Sequence, residues 1–205
     1  MLTCYPSSKP IRTATTPAVG FEPVSIDEAR YQCNLGDNTA HDPILLNLIQ
    51  AARETVERDA GIVCATGTYT FKRTDFPYDE DWFELPSIRP ITAVGSITYV
   101  ATDGTVTTWS SSNYSLDLYT VCPVVKLAYS QVWPVVRGDI NGITISVTAG
   151  YTSAALVPAQ VKQACLLLIS HWFENRSAVL TGTISKDIEL AYGSLIESLE
   201  RKSYA

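Results

Sequence analysis

The chain has 205 residues, 46% of them apolar and only 18% charged. That is enough for one ordinary domain or two small ones, and too apolar for a disordered chain. Fifteen Lys and Arg stand against twenty-one Asp and Glu, a net charge of −6. This balance argues against nucleic acid as the main partner, because affinity for a phosphate backbone comes from clustered cations. No apolar run approaches the roughly 18 residues of a membrane span, and the first residues, MLTCYPSSKP, lack the basic and apolar regions of a secretory signal. The expectation is a soluble, unsecreted protein with no membrane partner. Its shortage of charge points to surface hidden in an assembly, or to many neutral polar loops.

Residues 1–22 read as an extended N-terminal arm, rich in Thr, Ser and Pro, with Lys9 and Arg12 the only charges before Glu22. Ser25-Ile-Asp-Glu28 is a capping box for a short helix to about Leu35, with Gly36 suited to the left-handed position that ends it. Asp42 and Pro43 then suit the N-cap and first turn of a second helix. Leu45, Leu48, Ile49, Ala52 and Val56 give it an apolar stripe, and Gly61 stops it.

From about Thr66 to Gly150 the period shifts toward two. Strand-like runs lie at residues 68–74, 91–100, 113–119, 124–129 and 143–151, with Asp103-Gly104 as a hairpin turn. Pro77, Pro86, Pro90, Pro123 and Pro134 fall between the runs. The region reads as an antiparallel β module of six or seven strands with no helix inside it. Pro158 opens a third helix, at the first-turn position, with a stripe of Val161, Ala164, Cys165, Leu168, Ile169, Trp172 and Phe173. Leu166 and Leu167 predict cover on more than one side. A final helix, about Lys186 to Lys202, carries Ile188, Ala191, Leu195, Ile196 and Leu199. The predicted fold class is α+β. A four-helix bundle-like core, from residues 23–65 and 151–205, is interrupted by an inserted antiparallel β domain at 66–150.

Chemistry-bearing motifs are scarce. Cys4, Cys33, Cys64, Cys122 and Cys165 form no C-x-x-C pair, which excludes a zinc ribbon and fits free thiols in a reducing compartment. There is no phosphate loop, no G-x-S-x-G and no H-E-x-x-H. His41 reads as a surface turn residue. His171 and Glu174 have the i, i+3 spacing of two metal ligands, but no second such pair exists, and an aromatic-flanked helix end is the simpler reading. Residues 75–84 concentrate five carboxylates, Asp75, Asp79, Glu80, Asp81 and Glu84. Their spacing does not match an EF-hand loop. Interleaved Tyr78, Trp82 and Phe83 suit a solvated hairpin or a protein-contact edge better. No catalytic residue, metal site or cofactor is expected, so the chain is not read as an enzyme.

Taken together, several segments resemble tailed-bacteriophage head–tail connector (adaptor) proteins, in the branch with a β-rich insert between two helical pairs. They are residues 24–30 (VSIDEAR), 42–61 (DPILLNLIQAARETVERDAG), 85–91 (LPSIRPI) leading into 94–100 (VGSITYV), Asp103-Gly104, 147–151 (VTAGY), 157–164 (VPAQVKQA) and 171–176 (HWFENR). The arm, Met1 to Phe21, is longer than in that family. The resemblance implies a structural protein at the virion's head–tail interface, made in the host bacterial cytoplasm. It implies a dodecameric homo-oligomeric ring under the portal protein that extends the DNA channel and docks a stopper or tail-completion protein. DNA would pass without specific binding, which suits an acidic chain. On this reading Leu195, Leu199, Arg201 and Lys202 would meet the portal. Asp79, Asp81 and Trp82, in the β module, would meet the next component or an adjacent subunit. Two rivals remain: a β-rich tail or baseplate accessory binding module, and a small metal-dependent hydrolase using Asp79, Asp81 and His171.

Overall fold

The structure, a computed structural model, describes residues 13–14, 20–85, 88–119, 123–175 and 186–199. The fold is α+β, with four helices and antiparallel sheets. The chain divides into two compact units. One is built from Gly20–Ala65 and Tyr151–Arg201, the other from Thr66–Gly150 with the N-terminal segment.

The helical unit begins with α1 (Ile26–Gln32). Its capping box is formed in full: the Ser25 hydroxyl accepts from the Glu28 N–H at 3.2 Å, and the Glu28 carboxylate accepts from the Ser25 N–H at 2.7 Å. The helix ends earlier than Leu35. Asn34, not Gly36, takes the left-handed position next to the cap, at φ 56°, where Asn's short polar side chain is tolerated. The N–H groups of Asn34 and Leu35 return to the carbonyls of Tyr31 and Arg30 at 3.1 and 2.9 Å, a Schellman closure. Gly36, φ 54°, serves the turn that follows.

A 3-10 turn, Thr39–His41, leads into α2 (Asp42–Ala60). Asp42 is not the N-cap. It is the first helical residue, and its carboxylate is taken by Arg30 of α1, with Nε donating at 2.8 Å and Nη2 donating to the second oxygen. Pro43 sits in the first turn as predicted, and Gly61 closes the helix at φ 62°. α3 (Ala159–Glu174) has Pro158 at the cap rather than inside the first turn, and the Pro158 carbonyl accepts from Val161 and Lys162.

Leu45, Ile49, Ala52 and Val56 of α2 pack with Val161, Ala164, Cys165, Leu168 and Ile169 of α3 in one core. Leu48, Leu166, Trp172 and Phe173 half-cover it. α4 (Lys186–Leu199) contributes Ile196 to that core, with Tyr192, Leu195 and Leu199 packed beside it. Ala191, placed in the buried stripe by periodicity, is exposed. Its neighbour Tyr192 fills that role, and its hydroxyl donates to Asp59 at 2.8 Å. The side chain of Ile188 and residues 200–202 lie outside the described residues.

The β unit holds two antiparallel sheets. Its strands are β1 (Thr13–Ala14), β2 (Gly67–Arg73), β3 (Trp82–Glu84), β4 (Ile91–Val100), β5 (Val106–Trp109), β6 (Tyr114–Asp117), β7 (Val124–Leu127) and β8 (Ile143–Ala149). One sheet has the order β1-β2-β8-β4-β5, the other β3-β7-β6. β8 shows strict alternation, with Ile143, Ile145, Val147 and Ala149 buried, and pairs with β2 along its whole length. Such a central strand specifies register, because a one-residue slip would expose that row. Gly104 supplies the positive φ, 89°, of the predicted hairpin turn. The carboxylate of Asp103 accepts from the Thr105 N–H and hydroxyl at 2.9 and 2.7 Å. Two features were not predicted: β3, inside the acidic segment, and a pairing partner for the N-terminal arm, whose β1 adds to the β2 edge.

Among the described residues Glu57 is the one buried charged side chain. One oxygen accepts from the Cys64 N–H at 2.8 Å, and the other from Arg53 at 3.2 Å. Arg53 Nε also donates to Glu22 at 2.8 Å. Burial works against the Arg53 charge, but Glu22 and Glu57 outweigh it and its pKa is raised. Removing one member of such a buried set leaves an uncompensated charge, at a cost of about 3–5 kcal/mol. Glu57→Ala is therefore expected to lower the urea-unfolding free energy by roughly that much, and Glu57→Gln by less, since the amide oxygen still accepts from Cys64.

Asp42 gives a pH signature. The hydrogen bond from Arg30 holds its carboxyl below the ordinary range, so its stabilisation is present above its unfolded pKa, about 3.9, and is lost as pH falls through the folded value. The urea midpoint of Asp42→Asn should fall less steeply below about pH 4 than that of the parent chain.

Candidate functional site

The residues singled out from the sequence fall in two places. Leu195 and Leu199 are half-buried against the core of the helical unit, so their side chains serve α4 packing. Arg201 and Lys202 lie outside the described residues. In the β unit Asp79 and Asp81 are exposed on the β2–β3 connection, and Trp82 is half-buried at the start of β3. Asp81 pairs with Lys126 at 3.2 Å, both side chains more than half exposed, and such a pair contributes little.

His171 and Glu174 do not build a metal site: among the described residues no three His, Cys, Asp or Glu side chains gather as one. His171 Nδ1 accepts from the Asn175 amide at 3.2 Å. His41 is half-buried rather than a surface turn residue, and meets Phe173 edge-on with ring centroids 5.5 Å apart. Both histidines therefore belong to local packing at these helix ends. Cys64 and Cys165 are buried free thiols. Burial pushes Cys165 up to about 12, with Glu22 and Glu57 adding to the effect, and raises Cys64 in the same way. These are inert thiols, not nucleophiles.

The acidic segment is held by its aromatic residues. Phe76 and Phe83 are buried. Phe76 stacks on Trp133 with centroids 5.1 Å apart and 12° between planes. Trp133 also meets Phe83 at 5.5 Å and Trp109 at 5.2 Å, and Trp109 stacks on Tyr114 at 5.0 Å. These rings come from β3, β5, β6 and two connections, so one cluster joins both sheets of the unit. The Arg73 guanidinium lies 4.7 Å from the Phe83 ring centroid, and its pKa is lowered by burial despite Glu84. The Trp133 indole N–H donates to the Glu80 carbonyl at 2.8 Å, and the Leu127 N–H donates to the Asp81 carbonyl at 2.7 Å. The segment that reads as a solvated acidic hairpin is thus fastened at both of these carbonyls, with Asp79, Glu80 and Asp81 exposed and Asp75 and Glu84 half-buried.

Trp133 belongs to the long β7–β8 connection, residues 128–142, which sequence reasoning passed over. That stretch exposes Tyr129 (97%), Val132 (80%), Val135 (75%) and Ile140 (87%). With the acidic segment it frames a groove of about 430 Å³, lined by Phe76, Tyr78, Trp133 and Val135 among others and rimmed by Asp79 and Glu80. The signal was present as a Trp and three Val within five residues, 132–136, in a run without strand periodicity. The helical unit exposes apolar side chains too: Tyr31, Ile44, Leu46, Leu156 and Leu190. Grouped exposed apolar side chains mark contact surfaces, whereas isolated ones do not.

The fold therefore defines a class: a helical unit interrupted by a two-sheet β insertion. No family model and no curated protein matches the chain by sequence. Solved structures do. A chain in the neck of an empty gene transfer agent particle, computed with C6 symmetry, is similar over 93% of this chain and 97% of its own, with 21% identity and a TM-score of 0.70. A chain of the native gene transfer agent virion gives the same figures. A chain from the neck of the native particle, computed with C12 symmetry, gives 19% and 0.65 over the same shares. The fold of this protein is the fold of those chains.

Trp133 is the testable anchor of this region. Each aromatic contact adds about 0.5–1.5 kcal/mol beyond burial, and Trp133→Ala removes three of them together with the bond to Glu80. The variant is expected to be cut by trypsin after Arg137 faster than the parent chain under native conditions, with the helical core equally protected, as read by mass spectrometry of the fragments.

Proposed function

We propose that this protein is a structural component of a phage-like neck: a head–tail connector, or adaptor, that forms a ring under the portal protein. The ring extends the DNA channel and presents a docking surface to a stopper or tail-completion protein. The observation that carries this reading is the similarity, across 93% of the chain, to chains from gene transfer agent necks and virions. The order of helical and β segments supports it, as does a composition poor in charge. A net charge of −6 also fits a channel wall that lets DNA slide.

Ring contacts are heterologous, so two different faces of the subunit must complement each other. In the reading offered here, the C-terminal segment that carries Leu190, Arg201 and Lys202 meets the portal. The β unit, through Asp79, Trp82 and the exposed side chains of residues 128–142, meets the adjacent subunit or the next component. Leu195 and Leu199 support that contact indirectly, by holding α4 on its core. The role is structural, without a catalytic residue or bound cofactor.

The test is quantitative mass spectrometry of purified particles, scaled to the portal protein. One copy per portal subunit is expected, and Leu190→Asp, an exposed change that costs the isolated fold within about 0.5 kcal/mol, should lower that ratio. A copy number unrelated to the portal would replace the connector with a tail or baseplate accessory. Absence from the particle would remove the structural role altogether.

A further inference from the structure

The groove of the β unit has a floor, a wall and a rim of different chemistry. Phe76 is buried and stacks on Trp133, so the floor is aromatic. Val132 and Val135 stand beside it, largely exposed. At the rim Asp81 is paired with Lys126, whereas Asp79 and Glu80 are exposed and have no cationic partner among the described residues. Tyr78, 82% exposed, precedes them in the chain and belongs to the same lining.

Each part restricts the occupant. The groove holds about 430 Å³. A helix is about 10 Å across, so one turn of it would take up that volume, whereas an extended segment turns a row of side chains to one side and uses it better. Aromatic planes with apolar walls accept proline and aliphatic side chains, and proline-containing segments arrive with a backbone already extended. Two unpaired carboxylates at the rim attract cations and repel a phosphate backbone. Arginine answers both the carboxylates and the Tyr78 ring, since its guanidinium binds a carboxylate as a fork and stacks on aromatic faces. A second copy of this chain has no such arginine to give among the described residues. The exposed Arg58 and Arg137 are already paired with Asp59 and Asp139, at 3.1 and 3.5 Å.

We infer that this groove is the docking site for an extended segment of a different protein. That segment lays proline or aliphatic side chains on Phe76 and Trp133 and sets an arginine against Asp79, Glu80 and Tyr78. The inference rests on the neck reading for why another chain should lie there, and adds that chain's chemistry. Its test uses the isolated protein, so the docking site can fail while the copy number in particles still supports the connector.

The test is selection against the full-length protein from a fully randomised library of displayed peptides, each about ten residues and so about 30 Å when extended. The enriched peptide is then titrated, as a free synthetic molecule, into nitrogen-15-labelled protein. Enriched sequences are expected to carry arginine beside proline or aliphatic residues, and the free peptide to shift the Trp133 indole N–H resonance. Asp79→Asn/Glu80→Gln should weaken that binding about tenfold and flatten its salt dependence, and Val135→Asp should weaken it by at least as much. These positions are exposed, so both variants should keep the parent's amide spectrum away from the groove. The absence of any common sequence, a consensus without a cation, or an affinity unchanged in both variants overturns the proposal. Self-association of the parent chain that Val135→Asp abolishes overturns it too, because the occupant is then a second copy.

Discussion

The helical unit depends on one buried acid. Glu57 lies on the last turns of α2, where the chain must stop being helix and leave for the β unit. The departing chain brings the Cys64 N–H into the interior, and a buried amide without an acceptor would cost more than the helix end gains. Glu57 satisfies it at 2.8 Å. A lone carboxylate there would be costly in turn, and Arg53, one turn earlier, neutralises it. Arg53 also holds Glu22, so the chain's entry into the unit and its exit from α2 are fixed by the same guanidinium. The return is fixed beside the exit: the Tyr151 N–H donates to the Cys64 carbonyl at 3.3 Å, and Tyr151 bridges Ala65. An insertion of some 85 residues between Ala65 and Tyr151 can therefore be accepted without separating α2 from α3, because its two ends are adjacent.

The β unit meets a different constraint. Two sheets of five and three strands need a shared apolar interior, yet β3, β6 and β7 are only three to four residues long. Strands this short supply few inward side chains, so the rings do the work of joining the sheets. Trp133 comes from outside any strand and contacts Phe76, Phe83 and Trp109 at once. Beside this cluster, the exposed Asp81–Lys126 pair is energetically minor. The aromatic packing sets the connection's path, and that path leaves Val132, Val135 and Ile140 facing solvent.

Much of the fold was legible because its signals are local. Ser25 and Glu28 name a capping box without reference to anything else in the chain, and Gly61, Gly104 and the alternation from Ile143 to Ala149 are equally self-contained. What the sequence misassigned depended on distant partners. Asp42 reads as an N-cap until Arg30, twelve residues away, takes its carboxylate. Ala191 reads as buried until Tyr192 finds Asp59. β3 stays hidden because its three residues, Trp82–Glu84, carry no period of their own and become a strand only by pairing with Lys126, Val125 and Val124. For the same reason the acidic segment stood out in sequence, while the apolar connection that packs with it through Trp133 did not.

The placement of apolar surface bears on what kind of molecule this is. A monomer that works alone gains nothing from Val132, Val135 and Ile140 on one connection, or from Ile44 and Leu46 on one helix, and each such group invites non-specific association. Charge is the usual safeguard, and here it is scarce, at 18% of residues. Both features become advantages when neighbours are permanent, because desolvating few charges makes a broad contact cheaper to close. The exposed carboxylates of Asp79, Glu80 and Asp81 on the β2–β3 connection keep a negative rim beside the apolar connection. This arrangement arises from the distribution of side chains independently of any likeness in fold.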